Sequence, residues 1–122
     1  MSLVLLSRFC FYPVLLVVSL MSVLPQEQVV LSTGWDKANH ALAFFVLLGL
    51  LDHAYPSANL WTKKILPLFI YGLLIEMVQS QIPGRYASLL DVLGDAVGLL
   101  AYSVIRPVLI NNIPFVDADQ FR

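Results

Sequence analysis

The stretch GWDKANHALAFFVLLGLLDHA, residues 34–54, decides the fold class of this chain. It places Asp36, Lys37 and His40 directly before an apolar run in which the next ionisable residue is Asp52. An apolar run of this kind is typical of a helix in a nonpolar environment, where titratable groups pair with one another or with other polar groups. The three groups at the start of the run therefore need partners from other segments of the chain.

The composition is typical of a membrane protein. Of the 122 residues, 59% are hydrophobic and 12% are charged, and the mean hydropathy is +0.81. These values lie far from the averages of soluble domains. A membrane-spanning helix needs about 20 mostly apolar residues, and four such runs occur, at about residues 3–24, 38–54, 65–82 and 88–110. We expect an all-α, polytopic membrane protein in which four transmembrane helices form one bundle, with residues 1–122 as a single domain.

The basic residues favour an orientation with both termini in the cytoplasm. Lys and Arg near the ends of spanning helices are retained on the cytoplasmic side. With the N-terminus inside, the inner half contains Arg8, Lys63, Lys64, Arg106 and Arg122, and the outer half contains Lys37 and Arg85. The first apolar run has no small-x-small cleavage site near its end, so we expect it to be retained as a helix.

This topology brings polar residues from several segments to the outer face. They are Asp36, Lys37 and His40 on helix 2, Glu76 and Gln79 on helix 3, Arg85 before helix 4, and Asp91 and Asp95 on helix 4. Within each helix they are spaced three or four apart, so they share a face. Four carboxylates against two basic side chains leave a formal charge of −2 with His40 neutral. Protonation, a charged His40, solvent or a bound cation would relieve this imbalance, and we predict a ligand-binding site from these residues.

The ordered segments DKANHALAFFVLLGLL and EMVQSQIPGRYASLLDVLGDAVGLL resemble the VanZ-like family of small bacterial membrane proteins. The resemblance covers roughly residues 33 to 102. Position by position, it marks Asp36, Lys37, His40, Glu76, Gln79, Arg85, Asp91 and Gly98 as signature positions. Asp95 departs from the family pattern, which commonly has Asn there, and the additional carboxylate favours cation binding or a protonated pair.

The resemblance implies a multi-pass protein of the bacterial inner (cytoplasmic) membrane that acts in the cell envelope. For the family's namesake it implies lowered susceptibility to the glycopeptide antibiotic teicoplanin without alteration of the cell-wall precursor. It implies no reaction and no catalytic residue. The resemblance therefore implies where the protein acts in the cell, but not which ligand it binds or which reaction it catalyses.

Three interpretations of the polar residues stay open. In the first, they form a structural network that fixes the packing of helices 2, 3 and 4. In the second, Lys37, Arg85 and protonated His40 bind the phosphate of an envelope lipid or lipid-linked cell-wall intermediate, and the carboxylates meet its hydroxyl or amine groups. In the third, the site is enzymatic and either ligates Mg, Mn or Zn or works by acid–base catalysis, with His40, Glu76 and Asp91 as the candidate catalytic residues.

Other features bear on these interpretations. The expected partners are membrane lipids, and nucleic acid is not expected because no basic patch is present. Cofactor and oligomeric state stay open, and Cys10, the single cysteine, excludes an intramolecular disulfide. An ion pathway is disfavoured because the inner half offers mainly Asp52 and His53, which we expect to mark where helix 2 meets water. The C-terminal segment NNIPFVDADQFR is expected to be a solvated extension, and Tyr71, in the middle of helix 3, requires an internal hydrogen-bond partner.

Overall fold

The computed structural model describes residues 2–24, 36–83, 88–114 and 116–121. In these ranges the regular structure is all-helical and contains four long helices: α1 Leu3–Val23, α2 Asp36–Ala54, α3 Leu66–Gln79 and α4 Leu89–Asn112. A π-helical turn, Trp61–Ile65, leads directly into α3, and a 3-10 turn, Ala118–Phe121, lies at the C-terminal end. The four apolar runs thus correspond to the four helices.

The helix ends follow local sequence signals. Ser2 and Ser88 act as N-caps of α1 and α4, because their hydroxyl oxygens accept backbone N–H bonds at 3.2 and 3.3 Å. Pro67 lies in the first turn of α3, directly after the π-helical turn, and it has no backbone N–H to bond to a carbonyl of that turn. At its other end α3 stops earlier than expected, at Gln79, because the backbone N–H groups of Gln81 and Ile82 form tighter turns by bonding to carbonyls three residues back.

Helix α2 lies in the centre of the bundle and packs against the other three helices. Facing pairs show that it runs parallel to α4, since Lys37 lies opposite Asp91 at one end and Gly49 opposite Tyr102 further along. The buried core is apolar and consists of Phe11, Phe44, Leu47, Leu48, Leu68, Ile75, Leu99 and Tyr102. Helices α1, α3 and α4 therefore surround α2.

Two glycines of α4 allow its close approach to α2. A Cβ atom on Gly98 would overlap the carbonyl oxygen of Ala41 and lie 3.0 Å from its carbonyl carbon. A Cβ atom on Gly94 would lie 3.1 Å from the carbonyl oxygen of Lys37 and 3.3 Å from Cβ of His40. Small residues four apart let helix backbones approach closely, and here they bring α4 against the segment of α2 that carries His40.

The outer surfaces of the helices are apolar. Helices α1 and α4 are long and apolar enough to cross a membrane, with mean hydropathies of 2.1 and 1.5 over their most apolar windows. Large exposed apolar side chains are spread over α1, α3 and α4, including Phe9, Met77 and Val104. A monomeric soluble protein seldom exposes so much contiguous apolar surface, so these surfaces support the expectation of a membrane protein.

Polar contacts join α1 to α3. The hydroxyl of Tyr71 hydrogen-bonds the hydroxyl of Ser19, which supplies the internal partner that the sequence left unidentified. Eight residues further along α3, Nε2 of Gln79 donates a hydrogen bond to the carbonyl oxygen of Ser22 at 3.1 Å. These bonds fix the axial position of α3 relative to α1. They thereby also fix the position of Glu76, the acidic residue of α3.

Candidate functional site

Three helices bring their polar residues together around the imidazole of His40, in the first turns of α2. Its Nδ1 lies 2.7 Å from Oδ1 of Asp95 on α4. Its Nε2 lies 4.0 Å from Oε1 of Glu76 on α3 and 4.0 Å from Oδ2 of Asp91 on α4. We call these four residues the His40 cluster. The structure therefore brings together the three residues that the sequence suggested as catalytic candidates.

Helix geometry and two small residues build this cluster. Asp91 and Asp95 are four apart on α4 and so lie on one face of the helix. Gly72 on α3 leaves space for the second carboxylate, because a Cβ atom there would lie 2.5 Å from Oδ2 of Asp95. Ser88, the N-cap of α4, donates its backbone N–H to Oε2 of Glu76 at 3.0 Å. The start of α4 and the end of α3 are thus joined through the site.

The carboxylates of the His40 cluster are buried. Asp91 and Asp95 are each 1% exposed and Glu76 is 8% exposed. Oε1 of Glu76 is buried and has no hydrogen-bond partner within the described ranges. A buried polar atom without a partner costs about 1–3 kcal/mol, and more when it is charged. A proton, a water molecule or a cation beside Oε1 would remove that cost.

The imidazole of His40 has two different environments. Oδ1 of Asp95 is an acceptor close to Nδ1, which favours the tautomer with the proton on Nδ1. In the neutral form of that tautomer, Nε2 carries a lone pair and faces the space shared with Glu76 and Asp91. The arrangement can hold a proton between nitrogen and carboxylate, and it can equally ligate a metal ion.

Lys37 lies at the edge of the His40 cluster. Its Nζ is 3.7 Å from Oδ1 of Asp91, and its side chain is 38% exposed. The ammonium group is therefore accessible from outside the bundle and also adjacent to a buried carboxylate. This position suits a group that contacts a ligand arriving from the surface.

The remaining predicted site residues are placed differently. Gln79 is buried, but its amide joins α3 to α1 through Ser22, so it serves helix packing and its described bond does not reach His40. The side chain of Asp36 and all of Arg85 lie outside the described residues, so both stay predictions. Asp95 contacts the imidazole directly, with Oδ1 at 2.7 Å from Nδ1 of His40.

An apolar groove lies between α2 and α4 and begins at Lys37. It has a volume of about 930 Å³. Its walls include Ala41, Phe45, Leu93, Gly94 and Val97, and along α4 it extends from Leu90 to Ala101. Eleven residue steps at 1.5 Å give a length of about 16 Å. We call it the α2–α4 groove, and its polar end lies beside the His40 cluster.

A second polar cluster occupies the opposite end of the bundle, and it corrects the expectation for Asp52. This residue is 0% exposed and accepts hydrogen bonds from Tyr102 Oη and Arg106 Nε, both at 2.7 Å, and from Lys64 Nζ. We call these four residues the Asp52 cluster. The expectation that Asp52 meets water at the end of helix 2 is wrong, because the turn before α3 and the second half of α4 enclose that end.

The C-terminal segment also differs from expectation. The ring of Phe121 lies 5.2 Å from the ring of His53 and 5.3 Å from Cζ of Arg106. Its aromatic face therefore contacts cationic and polar groups beside Asp52. The segment packs against the bundle instead of extending into solvent, and His53, expected at the surface, lies partly buried beneath it.

Comparisons of the chain with protein-family models, with curated protein sequences and with solved structures return no match. The geometry of the two clusters and of the α2–α4 groove is therefore the basis on which a function is proposed.

Proposed function

We propose that the protein is a four-span protein of the bacterial inner membrane, similar to the VanZ-like family, that binds an envelope lipid or lipid-linked cell-wall intermediate at its outer face. The observation that carries this proposal is the α2–α4 groove ending at Lys37 beside the His40 cluster. A lipid needs an apolar strip for its chain and polar groups for its head. Both features occur here side by side.

The dimensions of the helices support four spans. Helix α2 has 19 residues, and the π turn together with α3 covers residues 61–79, also 19. At 1.5 Å per residue each is about 28 Å long, close to the hydrocarbon thickness of about 30 Å. Arg8, Lys64 and Arg106 all lie at the Asp52 end. The positive-inside rule therefore favours that end in the cytoplasm and the His40 end outside.

The site geometry assigns different parts of a headgroup to different residues. A phosphate would contact Lys37, whose ammonium group is accessible at the groove, and the sequence adds Arg85 nearby as a second candidate. His40 was also expected to contact phosphate, but the carboxylates around it would repel an anion. Those carboxylates suit the hydroxyl or amine groups of a headgroup. Binding of a lipid-linked cell-wall intermediate would provide a route to altered teicoplanin susceptibility.

Lipid retention tests the proposal. The full chain is purified from vesicles that contain phosphatidylglycerol and polyprenyl phosphate, and retained lipid is measured by native mass spectrometry. Lys37→Ala removes the phosphate contact, and Ala101→Phe fills the groove at its far end. Leu100→Phe, the matched control, adds an aromatic ring on the same helix outside the groove. We expect at least a five-fold loss of retained lipid in Lys37→Ala and in Ala101→Phe, and no loss in Leu100→Phe. Equal retention in all four proteins would contradict lipid binding in the groove.

Topology has its own test. In a Cys10→Ser background, a cysteine replaces exposed Gln81 at the His40 end or exposed Asn112 at the Asp52 end. A membrane-impermeant thiol reagent added to intact cells should label the variant at residue 81 and spare the one at residue 112. The reverse pattern would invert the proposed orientation, and labelling of both would contradict a spanning bundle.

A second candidate function is a membrane enzyme that acts on a lipid-linked phosphate. The observation in its favour is that Nε2 of His40 faces Glu76 and Asp91 across 4.0 Å, a distance that one water molecule or one ion can bridge. Release of phosphate from polyprenyl phosphate by the wild type, lost in Glu76→Gln, would establish it. A purely structural role for the cluster predicts neither activity nor lipid retention, and only lowered stability in these variants.

A further inference from the structure

We propose that His40, Glu76 and Asp91 hold one divalent transition-metal ion, Zn²⁺ or Mn²⁺, inside the bundle beside the α2–α4 groove. One ligand atom from each residue lies within 4.8 Å of the other two. An ion in the middle of three atoms at such separations lies about 2.5 Å from each, close to the usual ligand distances of about 2.0–2.2 Å. Small side-chain movements are enough to close the difference.

Glu76 supplies the observation that points to a ligand. Its side chain is nine-tenths buried, and Oε1 has no hydrogen-bond partner within the described ranges. That oxygen is directed toward Nε2 of His40, at 4.0 Å, which is too long for a hydrogen bond. Two atoms that face each other across a gap of this length are placed as they would be on two sides of a bound ion.

The supporting contacts are those that a metal site requires. A ligating histidine usually donates its other ring N–H to a carboxylate, which fixes both the tautomer and the ring orientation. Nδ1 of His40 has this contact with Asp95 at 2.7 Å. The second oxygen of Glu76 is held by the backbone N–H of Ser88 at 3.0 Å. Two of the three ligands are therefore oriented before an ion arrives.

The two ends of the bundle differ in how they neutralise buried carboxylates. At the Asp52 end, one carboxylate has two basic partners, Lys64 and Arg106. At the His40 end, three carboxylates, those of Glu76, Asp91 and Asp95, surround one imidazole. A divalent cation among these groups would lower the repulsion between their negative charges. The imidazole suits Zn²⁺ and the carboxylates suit Mn²⁺, whereas Mg²⁺ and Ca²⁺ prefer ligand sets made of oxygen alone.

Metal binding is tested on the full chain in detergent after chelator treatment, with Zn²⁺ or Mn²⁺ alone as the probe. Calorimetric titration should give one ion per chain for the wild type. Glu76→Gln preserves the shape of the side chain and should weaken binding at least ten-fold. Asp119→Asn, which removes an exposed carboxylate far from the site, is the matched control and should bind like the wild type. The proposal is overturned by the absence of binding in the wild type, or by equal binding in Glu76→Gln.

A second measurement needs no variant. The chain contains two histidines, His40 and His53, so side-chain nitrogen resonances can be resolved by histidine-selective labelling. On addition of Zn²⁺, Nε2 of His40 should shift at one equivalent while the resonances of His53 stay in place. A shift of His53 alone, or of neither histidine, would contradict the site.

This proposal is independent of lipid binding. The metal ligands are largely buried and do not line the groove, and the probe contains no lipid. Lys37→Ala should lose lipid and keep the metal, whereas Glu76→Gln should lose the metal. Lipid retention without metal binding would overturn the metal site and leave the lipid proposal intact. Metal binding without lipid retention would support the metal site and contradict the lipid proposal.

Discussion

Replacement of Gly98 by alanine tests the close packing of α2 and α4. The added methyl group would overlap the carbonyl oxygen of Ala41 and lie 3.0 Å from its carbonyl carbon. Backbone atoms cannot rotate away, so the helices must separate. Overpacking of this kind costs about 1–3 kcal/mol, whereas the higher helix propensity of alanine returns about 1 kcal/mol. Because the overlap is with backbone atoms, we expect a packing cost near the upper end of that range, about 2–3 kcal/mol, and so a net loss of about 1–2 kcal/mol in the free energy of unfolding.

Gly49→Ala is the matched control, because it makes the same chemical change at the same pair of helices. Its methyl group would lie 3.3 Å from Cε2 of Tyr102, a side-chain atom that can shift. The propensity gain should therefore offset the packing cost, and stability should stay near that of the wild type. Unfolding in mixed micelles with increasing denaturing detergent, followed by the helical circular dichroism signal, measures both variants. Equal stability of Gly98→Ala and Gly49→Ala would refute the claim that Gly98 sets the distance between the helices.

The same unfolding assay checks three further predictions. Asp52→Ala should cost about 3–5 kcal/mol because it leaves buried Lys64 without its carboxylate; an Asp52→Leu, Lys64→Met double variant should recover much of this, and a further loss would contradict the explanation. Tyr71→Phe and Ser19→Ala should each lower the free energy of unfolding by about 1 kcal/mol, because each removes the same hydrogen bond. The double variant should lose little more than either single variant; additive losses would mean that the two hydroxyls act separately. Phe121→Ala should lower stability by about 1 kcal/mol through loss of its cation–π contacts, and an unchanged value would mean that the C-terminal turn adds nothing to the fold.

The helices and the convergence of polar residues were predictable from the sequence. The apolar runs set the four helices, and alternating chain direction then places the start of α2, the end of α3 and the start of α4 at one level. Spacings of three and four residues place His40, Asp91 and Asp95 on inward faces. Which nitrogen of the imidazole meets which carboxylate was not predictable, because it depends on side-chain rotation and on the space that Gly72 leaves on a neighbouring helix.

The Asp52 cluster could not be predicted from local pattern. A charged residue at the end of an apolar run usually marks the point where a helix reaches water, and Asp52 was interpreted in that way. Its burial depends on residues 12 and 54 positions away, Lys64 and Arg106. Each of these also looked like an ordinary basic residue at the membrane boundary. Only the packing of α4 against α2 shows that the Asp52 carboxylate pairs with both basic side chains.

The central position of α2 has a consequence for how the chain is made. Helices α1 and α4 are apolar enough to enter a bilayer by themselves, whereas α2, which carries His40 and Asp52, does not reach that level. The residues that pair with these two groups lie in the π-helical turn, in α3 and in α4. During translation α2 therefore leaves the ribosome before its partners exist, and the set of partners is complete only when α4 has been made. Synthesis of α4 is thus the step that completes both polar clusters, and a chain that stops before it would leave His40 without Asp95 and Asp52 without Arg106.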